Sequence, residues 1–181
     1  MEIIETPLQG LLIIQPNVYS DDRGCFYEVY QHERYESLGI PAFVQDNFSH
    51  SKRNVIRGLH FQLPHPQGKL VFVTHGHIWD VVVDIRKSSS TFGQWYGLHL
   101  DATRHQQLYI PPGFAHGFCV LSDEANLHYK CTDYYYPEFE SGIAWNDPGL
   151  KIEWPIERPI LSSKDMHFLS LREYQDEKLF A

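Results

Sequence analysis

Apolar and polar positions alternate in short runs along most of this chain. "HIWDVVVDIR" (His77–Arg86) shows it best: Trp79, Val81, Val83 and Ile85 share one face, and Asp80, Val82, Asp84 and Arg86 the other. "NVIRGLHFQ" (Asn54–Gln62) and "KLVFVTH" (Lys69–His75) read as strands on either side of the turn "LPHPQG". "LLIIQP" (Leu11–Pro16) and "CFYEVY" (Cys25–Tyr30) flank "SDDRG", and "QWYGLHL" (Gln94–Leu100) and "QLYI" (Gln107–Ile110) follow the loop "SSSTFG". "PPGFAHG" is predicted as a turn leading into a strand at "FCVLS". In "ANLHYKCTDYYY" (Ala125–Tyr136), a further predicted strand, Leu127, Tyr129 and Cys131 share a face. Helical spacing is confined to "HERYESLG" (His32–Gly39), a turn or short helix at "SSKDMHF", and "LSLREYQDEKLF" (Leu169–Phe180). Eight or more short strands with few helices predict an all-β chain, a double-sheet jelly roll or small barrel whose inward side chains line a cavity.

Composition narrows the class. The 181 residues suit one domain, 1–181, and no repeat or low-complexity linker divides them. A net charge of −8 argues against a nucleic-acid surface. The three cysteines, Cys25, Cys119 and Cys131, have no scaffold spacing, which fits a reducing compartment. "MEIIETPLQG" shows no secretory leader, and "GLLII" is too short to span a bilayer. The expectation is a cytoplasmic protein with no membrane or nucleic-acid partner.

Candidate chemistry starts at Lys69. The first cupin motif ends on a metal-binding glutamate, six residues and a glycine; here Lys69 is followed by six residues and Gly76. The motif's His-x-His is His60-x-Gln62, and "PPGFAH" matches the second motif through Pro111, Gly113 and His116. The chain thus resembles a cupin with an ammonium where a metal ligand belongs. An ammonium has donors only, so it repels a divalent ion and attracts an oxyanion. His60 shares one cavity with Lys69 across a short turn and is a general-base candidate. On its own, Tyr129 reads most often as a core aromatic, although "YKCTDYYYP" is rich in phenols that can donate a proton. Lys164 and Asp165 read as a solvated helix start capped by Ser162 or Ser163. Arg23 reads as a turn residue paired with neighbouring aspartates.

Taken together, "DDRGCFYEVY", "RGLHFQ", "QGKLV", "DVVVDIRKSSSTFG", "PPGFAHGF", "YKCTDYY" and "LSSKD" occur in an order similar to that of the dTDP-4-dehydrorhamnose 3,5-epimerases, a metal-free branch of the cupins. The resemblance implies a cupin-type jelly roll with short helices mainly near the C-terminus (162–181). It implies a homodimer exchanging N-terminal strands (1–30), and neither metal nor nicotinamide cofactor. It places the base at His60, the carboxylate that orients it at Asp165, the enolate-stabilising lysine at Lys69 and the proton donor at Tyr129. Tyr135 matches the aromatic that stacks on thymine. Arg23, Glu28, Gln45, Asp46, Asn47, Arg57, His116, Glu140 and Lys164 match nucleotide-sugar positions. The implied reaction is epimerisation of dTDP-4-dehydro-6-deoxy-D-glucose at C3 and C5, in dTDP-L-rhamnose and polysaccharide biosynthesis. Competing readings are a single-site epimerase or ketoisomerase on a related dTDP-4-keto sugar, a metal-dependent cupin enzyme, and a non-enzymatic sugar-binding jelly roll. His75 and His77 around Gly76, Cys131 and Tyr136 depart from the family pattern.

Overall fold

A computed structural model describes residues 1–174, 179 and 180. Among them the order is β1 (Glu2–Glu5), β2 (Leu12–Gln15), β3 (Val18–Asp21), β4 (Gly24–Tyr27), α1 (His32–Glu36), β5 (Gln45–Lys52), β6 (Ile56–Gln62), β7 (Lys69–His75), β8 (His77–Asp84), β9 (Trp95–Asp101), β10 (Gln107–Ile110), β11 (Phe114–Val120), β12 (Glu124–Cys131) and β13 (Glu140–Gly142). A six-stranded sheet, β1-β2-β10-β7-β12-β5, faces a five-stranded sheet, β13-β6-β11-β8-β9, and β3–β4 forms a separate hairpin. The strand pairings are antiparallel throughout. This is the expected double-sheet jelly roll.

Two apolar layers hold it. Val71, Val73, Val82, Leu108, Phe118 and Leu127 fill one layer, from strands of both sheets. Val81, Val83 and Ile85 point the other way and are covered by Ile143, Leu150 and Leu179 of the C-terminal segment. The five-stranded sheet is therefore buried on both faces, which is why β8 carries valines in succession. Each buried valine or leucine contributes about 1.5–3 kcal/mol of transfer free energy.

Several expectations need correction. The turn at "PPGFAHG" ends at Gly113, whose φ is +95°, and the strand begins at Phe114. His116 therefore lies inside a fully buried central strand. The strand expected to reach Tyr136 stops at Cys131. Beyond it, side-chain amides replace the ladder: Gln45 accepts from the Tyr135 N–H and Gln62 from the Tyr136 N–H. The sequence pattern did not reveal β1, β3, β5 or β13. The C-terminal helix expected over Leu169–Phe180 is, where described, a single 3-10 turn at Leu171–Glu173, and residues 175–178 lie outside the described residues. No helix among the described residues is long and apolar enough to cross a membrane.

His75-Gly76-His77 makes the tight β7–β8 connection. Gly76 has φ +79°, and a Cβ there would lie 2.1 Å from the Glu124 carbonyl oxygen and 2.5 Å from Ser122 Oγ. Gly76→Ala is expected to cost about 2–4 kcal/mol, from the left-handed backbone and the overlap together. Urea denaturation measures it; an unchanged midpoint would show that the connection relaxes freely.

Candidate active site

The space between the sheets opens into a cavity of ≈ 310 Å³. The five-stranded sheet supplies Arg57, His60 and Gln62 from β6, His116 from β11 and Glu140 from β13. The six-stranded sheet supplies Gln45, Asn47 and Ser49 from β5, Lys69 from β7 and Tyr129 from β12. Pairing fixes the registers: His116 opposite His60, Lys69 opposite Cys131, and Asn47 opposite Tyr129. His60 thus approaches from one sheet, and Lys69 and Tyr129 from the other.

His60 Nε2 lies 2.7 Å from Asp165 Oδ1, across 105 residues of sequence. Asp165 is 3 % exposed and opens a 3-10 turn, its N–H capped by Ser162 Oγ at 3.1 Å. Burial pushes its carboxyl up, but hydrogen bonds from His60, the Gly58 N–H and the Ser162 hydroxyl outweigh that and hold it below the ordinary aspartate range. Asp165 is therefore a fixed carboxylate that orients the ring. With Nε2 so engaged, Nδ1 is the basic nitrogen of His60.

Lys69 Nζ makes no hydrogen bond or ion pair among the described residues. Burial pulls its ammonium below the ordinary lysine range, and the fields of Cys131, Glu140 and Asp80 oppose that pull. Burial, then Cys131, raise the Tyr129 phenol, with Arg57 opposing. Tyr129 is thus a neutral O–H donor with no competing partner among the described residues.

The outer part of the cavity is more ordered. Glu140 accepts from the Tyr135 hydroxyl and from Lys164 Nζ, both at 2.7 Å. The hydrogen bond to Glu140, with some burial, pushes the Tyr135 phenol up to about 12. Burial pushes Glu140 up, and the bonds from Lys164 and Tyr135 bring it below its usual range. Gln45 Nε2 donates to Asn47 Oδ1 at 3.0 Å, Asn47 Nδ2 to Cys131 Sγ at 3.5 Å, and Arg57 Nε to Ser51 Oγ at 2.9 Å.

Three predicted residues stand apart in the single chain. Arg23, with its side chain 90 % exposed on the β3–β4 turn, pairs with Asp21 at 2.6 Å. Glu28 pairs with Arg34 at 2.9 Å, and Asp46 turns outward to Lys130 at 2.7 Å. One residue missed by the sequence reading is Asp80, which is fully buried with its carboxylate on His116 Nε2 at 2.9 and 3.0 Å. Its signal was present: Asp80 alternates with Val82 on the inward face of β8. The departures His75 and His77 lie away from the cavity, His75 near Glu124 at 3.6 Å and His77 against His99 at 2.9 Å.

The sequence profile of the dTDP-4-dehydrorhamnose 3,5-epimerases fits residues 5–173. The chain belongs to the dTDP-4-dehydrorhamnose 3,5-epimerase family. It is 51 % identical to the enzyme of that name from Escherichia coli K12 over 100 % of both chains. It superposes with a TM-score of 0.96 on dTDP-6-deoxy-D-glucose-3,5-epimerase from Legionella pneumophila in complex with dTDP-4-keto-L-rhamnose, at 52 % identity and over 99 % and 97 % of the two chains. A dTDP-4-dehydrorhamnose 3-epimerase from Streptomyces niveus is 41 % identical over 95 % of this chain and 84 % of its own. The fold is accordingly the cupin-like jelly roll of these isomerases. At the cupin metal positions this member has two histidines already bonded to aspartates, a glutamine and a lysine, and no group of three His, Cys, Asp or Glu side chains among the described residues is disposed to hold a metal.

Lys69 gives a pH prediction for this epimerase. We propose that the ammonium is the form that supports turnover; burial lowers its pKa, so turnover is expected to fall as pH rises through a value below the usual ~10.4. Glu140→Gln removes a carboxylate that favours the ammonium and should move that limb to lower pH. A pH–rate profile tests this; an unmoved limb would mean that Glu140 does not support the charge.

Proposed function

We propose that this chain epimerises dTDP-4-dehydro-6-deoxy-D-glucose at C3 and C5 to dTDP-4-dehydro-L-rhamnose, in dTDP-L-rhamnose biosynthesis. The observation that carries this reading is the two-sided cavity. His60 on one sheet, held by Asp165 of a 3-10 turn, faces a phenol on the other, with an ammonium in the same space that has no partner among the described residues.

The C4 carbonyl of such a sugar acidifies the C–H bonds at C3 and C5. His60 removes a proton through Nδ1, and the electron pair moves onto the C4 oxygen. Histidine is a far weaker base than the carbanion, and each pK unit of mismatch costs about 1.4 kcal/mol. Lys69 supplies the compensation, since one well-aimed donor to an oxyanion is worth roughly 3–4 kcal/mol. Tyr129 returns a proton to carbon from the opposite face, which inverts the centre. A single acid–base on one face would only exchange the hydrogen. Tyr135, Glu140, Lys164, Gln45, Asn47 and Arg57 hold the nucleotide end, and the fork of Arg57 suits a diphosphate.

We further propose that the protein is a cytoplasmic homodimer. In the single chain β1 pairs with β2 and β2 with its own β10, while the β3–β4 hairpin exposes Tyr19 and Phe26. An isolated two-stranded hairpin is marginal in water. Packed on a second copy, it would bury these rings and carry Arg23 toward that copy's cavity. Its free cysteines suit a reducing compartment. A second reading, epimerisation at one carbon, has the support of the Streptomyces niveus relative's name.

Incubation with the 4-keto sugar nucleotide in D₂O, followed by NMR, separates these readings. Deuterium at C3 and C5 with inversion is expected. Label at one centre identifies a single-site epimerase, and label at neither removes this substrate. His60→Ala should abolish exchange while dTDP affinity holds. Tyr129→Phe should keep exchange and lose inversion; equal loss of both would make Tyr129 structural. Sedimentation should give twice the 21.2 kDa chain mass.

A further inference from the structure

The cupin metal position that carries glutamine in this chain has a different use. β12 ends at Cys131, opposite Lys69, the first residue of β7. On the β7 side, residues 63–68 would have to continue the ladder, and they include Pro64 and Pro66, which have no N–H to give. The carbonyls just beyond Cys131 therefore need other donors. Side-chain amides supply them: Gln67 Nε2 donates to the Asp133 carbonyl at 2.9 Å, and Gln62 Nε2 to the Tyr134 carbonyl at 3.0 Å.

Gln62 does more than fill one gap. Its Nε2 also donates to the His65 carbonyl, and its Oε1 accepts from the Tyr136 N–H at 2.8 Å. Both amide hydrogens and the oxygen are engaged, all with backbone, in a residue only 4 % exposed. Two donors and one acceptor in one plane suit an amide. A neutral imidazole has one donor and one acceptor, and an imidazolium two donors and no acceptor, so the histidine of a metal-binding cupin could not make this set.

The grip closes on Tyr135. Gln62 holds the carbonyl of the residue before it and the N–H of the residue after it, and Gln45 accepts the N–H of Tyr135 itself at 2.9 Å. Glu140, the register partner of Gln62 on β13, accepts the Tyr135 hydroxyl at 2.7 Å. Tyr135 is 45 % exposed at the cavity edge, so packing alone does not fix its ring. A ring left loose would lose its freedom only when a ligand arrives, which weakens binding.

We propose that Gln62 is a positioning residue: by clamping the backbone on both sides of Tyr135, it presets that ring against the base of the bound nucleotide. This rests on the epimerase reading above, in which Tyr135 holds the nucleotide end.

The test is a double-variant cycle on dTDP affinity, measured by titration calorimetry, with steady-state kinetics on the 4-keto sugar nucleotide. Gln62→Met keeps an unbranched side chain and removes all three hydrogen bonds. It should weaken dTDP binding about 5-fold and raise KM by a similar factor, with a smaller change in kcat. Tyr135→Ala should weaken dTDP binding about 10-fold. The double variant should bind within about 2-fold of Tyr135→Ala alone, because without the ring the clamp has nothing to present. Gln62→His retains at most two of the three bonds and should fall between the parent and Gln62→Met; it takes the place of Gln62→Met in the cycle if that variant does not fold. The proposal is overturned if the two losses multiply, if the Gln62 variants bind dTDP as the parent does, if their loss falls on kcat alone, or if the parent binds no dTDP. A cycle that closes as expected in a protein that does not turn over the sugar contradicts the epimerase reading and leaves the clamp standing.

Discussion

Lys69 brings a positive charge into a cavity whose walls give it no hydrogen bond among the described residues. Desolvating an ammonium costs several kcal/mol, and among the described residues the fields of Cys131, Glu140 and Asp80 oppose that cost. A structural lysine would sit in a short ion pair, as Lys130 does with Asp46 at 2.7 Å. Lys69 instead donates no hydrogen bond among the described residues, and in the proposed reaction an enolate oxygen meets that demand. Sandwiching the side chain between two sheets keeps water from meeting that demand first, and the low local dielectric strengthens whatever anion does.

The sandwich also solves a geometric problem. Inversion at carbon requires a base and an acid on opposite faces of one ring, and groups on a single sheet approach from one side. Here β6 and β11 carry the two imidazoles, and β7 and β12 carry the ammonium and the phenol. The apolar layer of Val71, Val82, Phe118 and Leu127 fixes the spacing between the sheets. Core packing therefore sets the distance between acid and base, and a cavity-forming substitution far along β8 would be felt as loose catalytic geometry.

The parts of this arrangement that could be read from the sequence follow from periodicity. Strands with apolar inward positions, such as β7, β8 and β12, announced themselves. β5 did not, because its inward positions are Gln45, Asn47, Ser49 and Ser51: the polar residues that line the cavity erase the alternation that would reveal the strand. His116 was found through its motif, but its strand was read as a turn because Pro and Gly dominate the letters before it. Asp165 lies 105 residues from His60 and pairs with it only through the fold, so spacing alone left it as a helix start; the resemblance to a family raised it. The plain reading of Ser162 as a cap was also right, since Ser162 Oγ accepts the Asp165 N–H. Ser162 thus serves both the local turn and the carboxylate that holds His60. Arg23 likewise pairs with an aspartate of its turn in the single chain.

Glu140 links the two ends of the cavity. Its carboxylate accepts from Tyr135 and Lys164 in the outer part of the cavity, and its field reaches Lys69 deeper inside. Each of those donors lowers the Glu140 carboxyl and offsets part of its charge. Removing either would leave a stronger negative field on the Lys69 ammonium, so the two parts of the cavity are electrostatically coupled through one carboxylate.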